Sequence, residues 1–258
     1  MADAHFAEPR LVALYDVLEG SRDDLDHYLA IAEEIGARSV VDIGCGTGTL
    51  ACLLAARGLE VIGVDPAAAS LEVAHRKPHA DRVRWVLGGA AELPPLQVDL
   101  ATMTGNVAQV FTTDAEWAAA LGAVHAALRP GGRFVFETRR PERAAWREWT
   151  RERTATRVGD VETWIEVTDV RLPLVSFRTT FVFGSDGAVL TSDSTLRFRT
   201  LEELRDSLAA AGFTVDDVRD APDRPGREFV VLARPAENRP PPAAVRPPAA
   251  GRRRRRRR

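Results

Sequence analysis

Two carboxylates and three glycines stand close together in the first quarter of the chain: Asp42, then Gly44, Gly46 and Gly48, and further on Asp65. The stretch VVDIGCGTGTLA (40–51) begins as an apolar run, turns through the three glycines and ends in residues that favour a helix. Glycine lets backbone and ligand approach where a Cβ would collide, and a helix N-terminus offers unpaired N–H groups. A strand, a Gly-rich turn and a helix therefore point together to a nucleotide-like ligand. Dinucleotide sites space their glycines G-x-G-x-x-G, whereas here the spacing is G-x-G-x-G, with Thr49 where the third glycine would stand. A carboxylate two residues before the first glycine is badly placed for a pyrophosphate and well placed for an ammonium group.

The elements that must position these residues alternate. Residues 9–36 read as two helices, the second opening after Ser21 and closed by Gly36. RSVVDIG, LEVIGVD, RVRWVLG, VDLATMTGN and RFVFET read as strands, separated by helices at 49–58, 67–77 and 114–128, the last with Asp114 as its N-cap. This alternation predicts a parallel sheet with helices on both faces. From Arg139 to Thr200 the rhythm changes to strand-like runs with hairpin turns at 158–160 and 185–187, an antiparallel insertion. A helix after Thr200 and two strands follow, joined only by PDRPGR. A parallel crossover needs about a dozen residues or more, so the last strand must run antiparallel to its predecessor. The expected divisions are a helical cap (1–36), a cofactor-binding core (37–138), the insertion (139–199), a closing helix and hairpin (200–234) and a tail (235–258).

Composition bounds the rest. The 258 residues are 45% hydrophobic and 28% charged, an ordinary globular balance, and no apolar run is long enough for a membrane span or a secretory signal. A soluble cytoplasmic protein is expected. Two cysteines, Cys45 and Cys52, are too few for a disulfide scaffold or a cysteine metal site, and no metal is expected. Nine of the 35 basic residues but one of the 37 acidic residues lie at 235–258, so the body holds 26 against 36, a net charge of −10. That disfavours a nucleic-acid-binding face on the body and leaves only the Pro/Arg-rich tail, expected to be disordered, as a non-specific contact for nucleic acid. Lys77 is the single lysine, a bias that reads as coding composition without mechanistic meaning.

With Asp42, the glycine turn, Asp65 and the final hairpin in order, the chain resembles the class I S-adenosylmethionine-dependent methyltransferases over about residues 10–234. The resemblance implies an α/β fold with a Rossmann-like seven-stranded, mostly parallel sheet whose last strand is antiparallel, helices on both faces, and here a small antiparallel β insertion. It implies that the loop Gly44, Cys45, Gly46, Thr47 and Gly48 holds the methionine and ribose portion of S-adenosylmethionine, with Asp42 facing the amino group. Asp65 would accept the ribose hydroxyls beside Pro66 at the adenine. The family's adenine-binding Asp is replaced by Gly89 in GGAAELP, so Ala90 and Ala91 would supply backbone contacts instead. Thr104, Gly105 and Asn106 match the region beside the methionine chain, and Tyr15 in LVALYDVL matches an aromatic that covers the cofactor; helical spacing with Leu11 and Leu18 equally fits core packing.

TGNVAQV lacks the Asp/Asn-Pro-Pro-aromatic and Pro-Cys motifs of DNA-base methylation, so a small-molecule acceptor is expected, methylated on O or N. Alternatives are a tRNA or protein methyltransferase docking through the tail, or a non-catalytic binding module. Glu137, ending RFVFET, lies where ligands bind in open parallel sheets and is a candidate general base; pairing with Arg139 is the other reading. Arg139, Trp146, Trp149 and Trp164 are candidate acceptor contacts, with anchoring of the insertion the equal reading for Trp146 and Trp149; Phe177, Phe181 and Phe183 share one face by period two, so that they and Trp164 would either roof the acceptor site or pack the small sheet on the main domain.

Overall fold

The computed structural model describes residues 2–236; the expectations for the Arg-rich tail lie outside the described residues beyond Ala236. Five strands, β1 (Ser39–Ile43), β2 (Glu60–Asp65), β3 (Val83–Leu87), β4 (Val98–Met103) and β5 (Leu128–Arg139), pair in parallel in the order β3-β2-β1-β4-β5. The insertion supplies β6 (Thr156–Val158), β7 (Val161–Arg171), β8 (Leu174–Phe183) and β9 (Val189–Arg197), an antiparallel sheet of its own. The chain then returns through β10 (Phe213–Arg219) and β11 (Glu228–Pro235), where β11 lies between β5 and β10 and runs antiparallel to both. The short connection before β11 forces this reversal, and the reversal carries Glu228 to the carboxyl edge of β5, opposite Arg139.

Helices α1 (Ala4–Ala7), α2 (Pro9–Glu19), α3 (Asp26–Ile35), α4 (Thr49–Ala56), α5 (Ala68–Ala74), α6 (Asp114–Ala127), α7 (Arg151–Thr154) and α8 (Leu201–Ala210) surround the sheets. Side chains of successive strand residues point to opposite faces. Phe134 and Phe136 accordingly pack with Trp117, Leu204 and Leu208 on one side of the main sheet, and Val135 packs with Leu29, Leu50, Leu54 and Val230 on the other.

Three local expectations are corrected. Ser21 caps nothing, because a 3-10 turn (Asp23–Leu25) leads into α3. The N-cap of α6 is Thr113 rather than Asp114: Thr113 Oγ1 accepts from Glu116 N at 3.2 Å while Glu116 Oε2 accepts from Thr113 N at 3.0 Å, a reciprocal capping box. Strand β5 starts at Leu128 and absorbs Arg-Pro-Gly-Gly, at the expense of a register shift against β4.

The insertion sheet has two unlike faces. Phe177, Phe181 and Phe183 do share one, with Val161, Thr163 and Val167 beside them on β7. Trp164 does not join them: it pairs with Thr180 on the opposite face, where Arg151 stacks on its ring at 3.9 Å and Glu166 accepts its indole N–H at 2.6 Å. The expected roof therefore loses Trp164. Leu11 of α2 is fully buried against Val161, Phe181 and Phe183, so α1 and α2 run as a strap along the inner face of the insertion.

Candidate functional site

The glycine turn sits at the carboxyl edge of β1, with N–H groups of Gly44 and Cys45 donating to Val64 O. Its two ends and its middle differ. A Cβ on Gly48 would lie 2.4 Å from the Trp85 ring and 2.8 Å from Ala74, whereas at Gly46, with φ +53°, nothing lies within 4 Å of that position. The end packs against the fold and the middle is open, a cradle of backbone. Gly46 N donates to Asp65 Oδ2 and Ala67 N to Asp65 Oδ1, both at 2.8 Å. Each oxygen of Asp65 keeps acceptor capacity for a ligand hydroxyl. Burial raises its pKa, and the two N–H groups hold it back.

Asp42 is 1% exposed, and Thr102 Oγ1 donates to its Oδ1 at 2.8 Å. Burial pushes its pKa up to about 7 against the effect of that hydrogen bond. No described residue supplies a cation in contact with it, so ionisation here calls for a cationic group from a ligand. Thr47 Oγ1 donates to Asp16 Oδ1 of α2 at 2.6 Å, tying the turn to that helix. Cys45 packs beside Gly63, and burial raises its thiol pKa. Tyr15 stands beside His5 and Phe6, with ring centres 5.5 and 5.6 Å away, and no described group bonds its hydroxyl. Ala90 is buried in a 3-10 turn, while Pro66 and Ala91 are exposed on the rim.

Beyond Thr104 and the exposed Gly105, Asn106 enters a buried polar cluster. Glu137, 1% exposed, accepts from Asn106 N at 3.1 Å on Oε1 and from the Tyr28 hydroxyl on Oε2. Asn106 Nδ2 donates to Glu228 Oε1 at 3.0 Å, leaving its buried Oδ1 without a protein partner. Arg224 Nη2 lies 3.4 Å from Glu137 Oε2 and 3.2 Å from Glu228 Oε2. Burial first, and then the neighbouring Glu228, push the Glu137 pKa up to about 7. Burial and Glu137 together push Tyr28 upward. Arg139 turns from Glu137 toward Gln109 Oε1 at 3.0 Å, with its guanidinium carbon 5.6 Å from the Trp149 ring centre. Trp149 packs on Phe177 and Trp146 on Phe198, so both face the cleft side of the insertion.

The geometry thus gathers Asp42, the glycine turn, Asp65, Thr104 to Asn106 and Glu137 at the carboxyl ends of the parallel strands, with Trp149 reaching that edge through Arg139, and leaves Trp164 on the other face of the insertion sheet. Residues 40–132 match the family described as Methyltransferase domain. Those residues thus form a methyltransferase domain of the class I S-adenosylmethionine-dependent type. The chain is 34% identical over 110 residues to the ubiquinone/menaquinone biosynthesis C-methyltransferase UbiE of Rubrivivax gelatinosus, an overlap of 42% of each chain. It is 26% identical over 145 residues to the cypemycin N-terminal methyltransferase of a Streptomyces species, covering 55% of this chain and 59% of that one. The match thus spans less than two thirds of either curated relative. Among solved structures, the fold matches the CcbJ methyltransferase of Streptomyces caelestis with a TM-score of 0.75 at 22% identity, over 90% of this chain and 97% of that one. It also matches CalS10, an amino pentose methyltransferase of Micromonospora echinaspora solved with S-adenosylmethionine bound, at a TM-score of 0.65 and 23% identity, over 85% and 94%.

Sequence reasoning missed Tyr28, Gln109, Arg224 and Glu228. Tyr28 is 109 residues from Glu137, and Glu228 is 122 from Asn106, so no local spacing could announce them. No helix among the described residues is long and apolar enough to cross a membrane.

Proposed function

We propose that the methyltransferase moves a methyl group from S-adenosylmethionine to an O or N atom of a small organic acceptor, with an amine favoured. The observation that carries this reading is Glu137: a carboxyl group buried at the carboxyl edge of β5, beside Asn106, with a pKa near 7. When bound, S-adenosylmethionine supplies an already activated methyl group, so the protein contributes mainly position, exclusion of water and a place for a proton. Asp42 holds the ammonium of the cofactor, Asp65 accepts its ribose hydroxyls, and Ala90 and Ala91 border the adenine. An acceptor amine must lose its proton to become a nucleophile, and Glu137 accepts that proton near neutral pH. The Tyr28 hydroxyl and Asn106 N–H, both donated to the carboxylate, keep the group ionisable despite its burial.

Trp149, Phe177 and Arg139 border the acceptor side and give it an aromatic wall with one cation. Structural neighbours that act on amino pentoses and on sugar nitrogen support an acceptor of this size. The test is incubation with methyl-labelled S-adenosylmethionine and a panel of small amines, amino sugars and phenols, with products read by mass spectrometry. Labelled product from an amine or a hydroxyl compound is expected. Label appearing only in added tRNA or protein would overturn the small-molecule reading.

A further inference from the structure

The only lysine of the chain occupies a specific place. Lys77, just beyond α5, brings its ammonium 2.6 Å from Asp16 Oδ2 of α2, and donates to Thr49 Oγ1 at 2.6 Å and to Thr47 Oγ1 at 3.2 Å. Thr47 in turn donates to the other Asp16 oxygen. Three elements therefore meet at one nitrogen: the strap, the glycine turn with the first residue of α4, and the end of α5. An ammonium has three protons disposed around a point, which suits three oxygens on different elements; a planar guanidinium does not. The Lys77 side chain is 17% exposed, so this contact is partly withdrawn from water.

What Lys77 holds is the segment that covers the site. Asp16 adjoins Tyr15, and the strap's other tie to the core is Ser70 Oγ donating to Phe6 O at 2.9 Å. On its far side the strap is tied to the insertion, where His5 N donates to Ser192 Oγ at 2.9 Å and Arg10 pairs with Asp186 at 3.0 Å. It ends at Gly20, with φ +64° and ψ −135°, a conformation open to glycine and strained for other residues, and nothing lies within 4 Å of a Cβ there. This turn at Gly20 joins α2 to the core-packed α3.

We infer that Lys77 is a positioning residue for cofactor retention: by joining Asp16 to Thr47 and Thr49 it latches the N-terminal strap over the glycine cradle, and cofactor exchange requires this contact to open. The inference rests on the placement of the cofactor against Gly44 to Gly48. Because no other lysine exists, acetylation of Lys77 by an amine-reactive ester, followed by peptide mass spectrometry, reads the latch in the full-length wild-type protein without any substitution. Calorimetry with S-adenosylhomocysteine, the demethylated cofactor, comes first; no binding would overturn the cofactor placement and the latch with it. Given binding, saturating S-adenosylhomocysteine should slow Lys77 acetylation by about tenfold or more, since the reactive state is the open one. Lys77→Met and Asp16→Asn should each speed its dissociation by about 5- to 20-fold, and the double variant should be no faster than the singles, because both substitutions break one contact. Lys77→Arg should fail to restore slow dissociation. Binding without protection of Lys77 from acetylation, or with wild-type dissociation in a folded Lys77→Met protein, would overturn the latch and leave the cofactor site standing.

Discussion

Asp42 is a carboxylate that the fold keeps at a thermodynamic disadvantage. Its folded pKa of about 7 lies above the ordinary value of 3.8, so the folded protein binds the proton more tightly than the unfolded chain does. Stability is then highest at acid pH with respect to this group and falls as pH rises from about 4 through 7. Asp42→Asn keeps an acceptor for Thr102 and removes the charge. At pH 8 the ligand-free variant should gain on the order of 1–3 kcal/mol in stability, measured by chemical unfolding, yet lose about 10- to 100-fold in affinity for S-adenosylhomocysteine. The opposite signs separate a binding role from simple damage. Wild-type affinity should weaken as pH falls below about 7, because a protonated carboxyl no longer pairs with the ligand ammonium. Glu137 titrates in the same window, and ionised Glu137 is the form that accepts a proton. The rate of the methyl-transfer step should therefore rise with pH through an apparent pKa near 7, and Glu137→Gln should flatten that limb while changing kcat more than KM. A flat profile in the wild type would remove Glu137 from the chemistry.

At the scale of elements, the segment between β4 and α6 is held from a distance. Arg199, buried beyond the end of β9, donates to the carbonyls of Ala108, Phe111 and Thr113 at 3.3, 2.7 and 3.4 Å and lies 5.2 Å from the Trp117 ring centre. Burial lowers its pKa to about 10, still charged at neutral pH. Gln109, which orients Arg139, is tied to the same strand through Arg197 O at 3.4 Å. The insertion thus holds this loop from its last strand and the residues just beyond it. Arg199→Met removes the side-chain donor to the Ala108 and Phe111 carbonyls and one of the two donors to Thr113 O, and should destabilise by about 2–4 kcal/mol in denaturant unfolding. Thr113→Ala removes the α6 capping box and should lose about 1 kcal/mol. The two losses should combine non-additively, because Arg199 bonds the carbonyl of the capping residue itself.

Across the whole molecule, the strap joins the glycine turn to the insertion, because α2 touches the turn through Asp16 and the insertion through Leu11. Leu11→Ala opens a cavity between the strap and the inner face of the insertion and should destabilise by about 2–5 kcal/mol. Although Leu11 is packed against Phe181 and Phe183, the variant should also bind S-adenosylhomocysteine several-fold more weakly by calorimetry, since the strap loses its outer support. Unchanged affinity would show that the two sides are independent.

What could be read from the sequence is what local pattern encodes. The alternation of strands and helices, the glycine turn with Asp42 and Asp65, and the reversal of the last strand follow from periodicity, from close spacing and from the reach of a six-residue connection. A side chain's neighbours within an element are set by that element's repeat, so these features need no knowledge of the rest of the chain. The cluster around Glu137 is different: Tyr28, Asn106, Arg224 and Glu228 come from separate elements, and only the order of strands in the sheet brings them to one edge. Trp164 shows the same boundary within one sheet, since period two tells which residues share a face but pairing across strands decides which face looks inward. Lys77 shows it most simply. Read as composition it is one residue that escaped replacement by arginine, and its meaning depends on three oxygen atoms that folding carries to it, two from Thr47 and Thr49 and one from a helix that begins at Pro9.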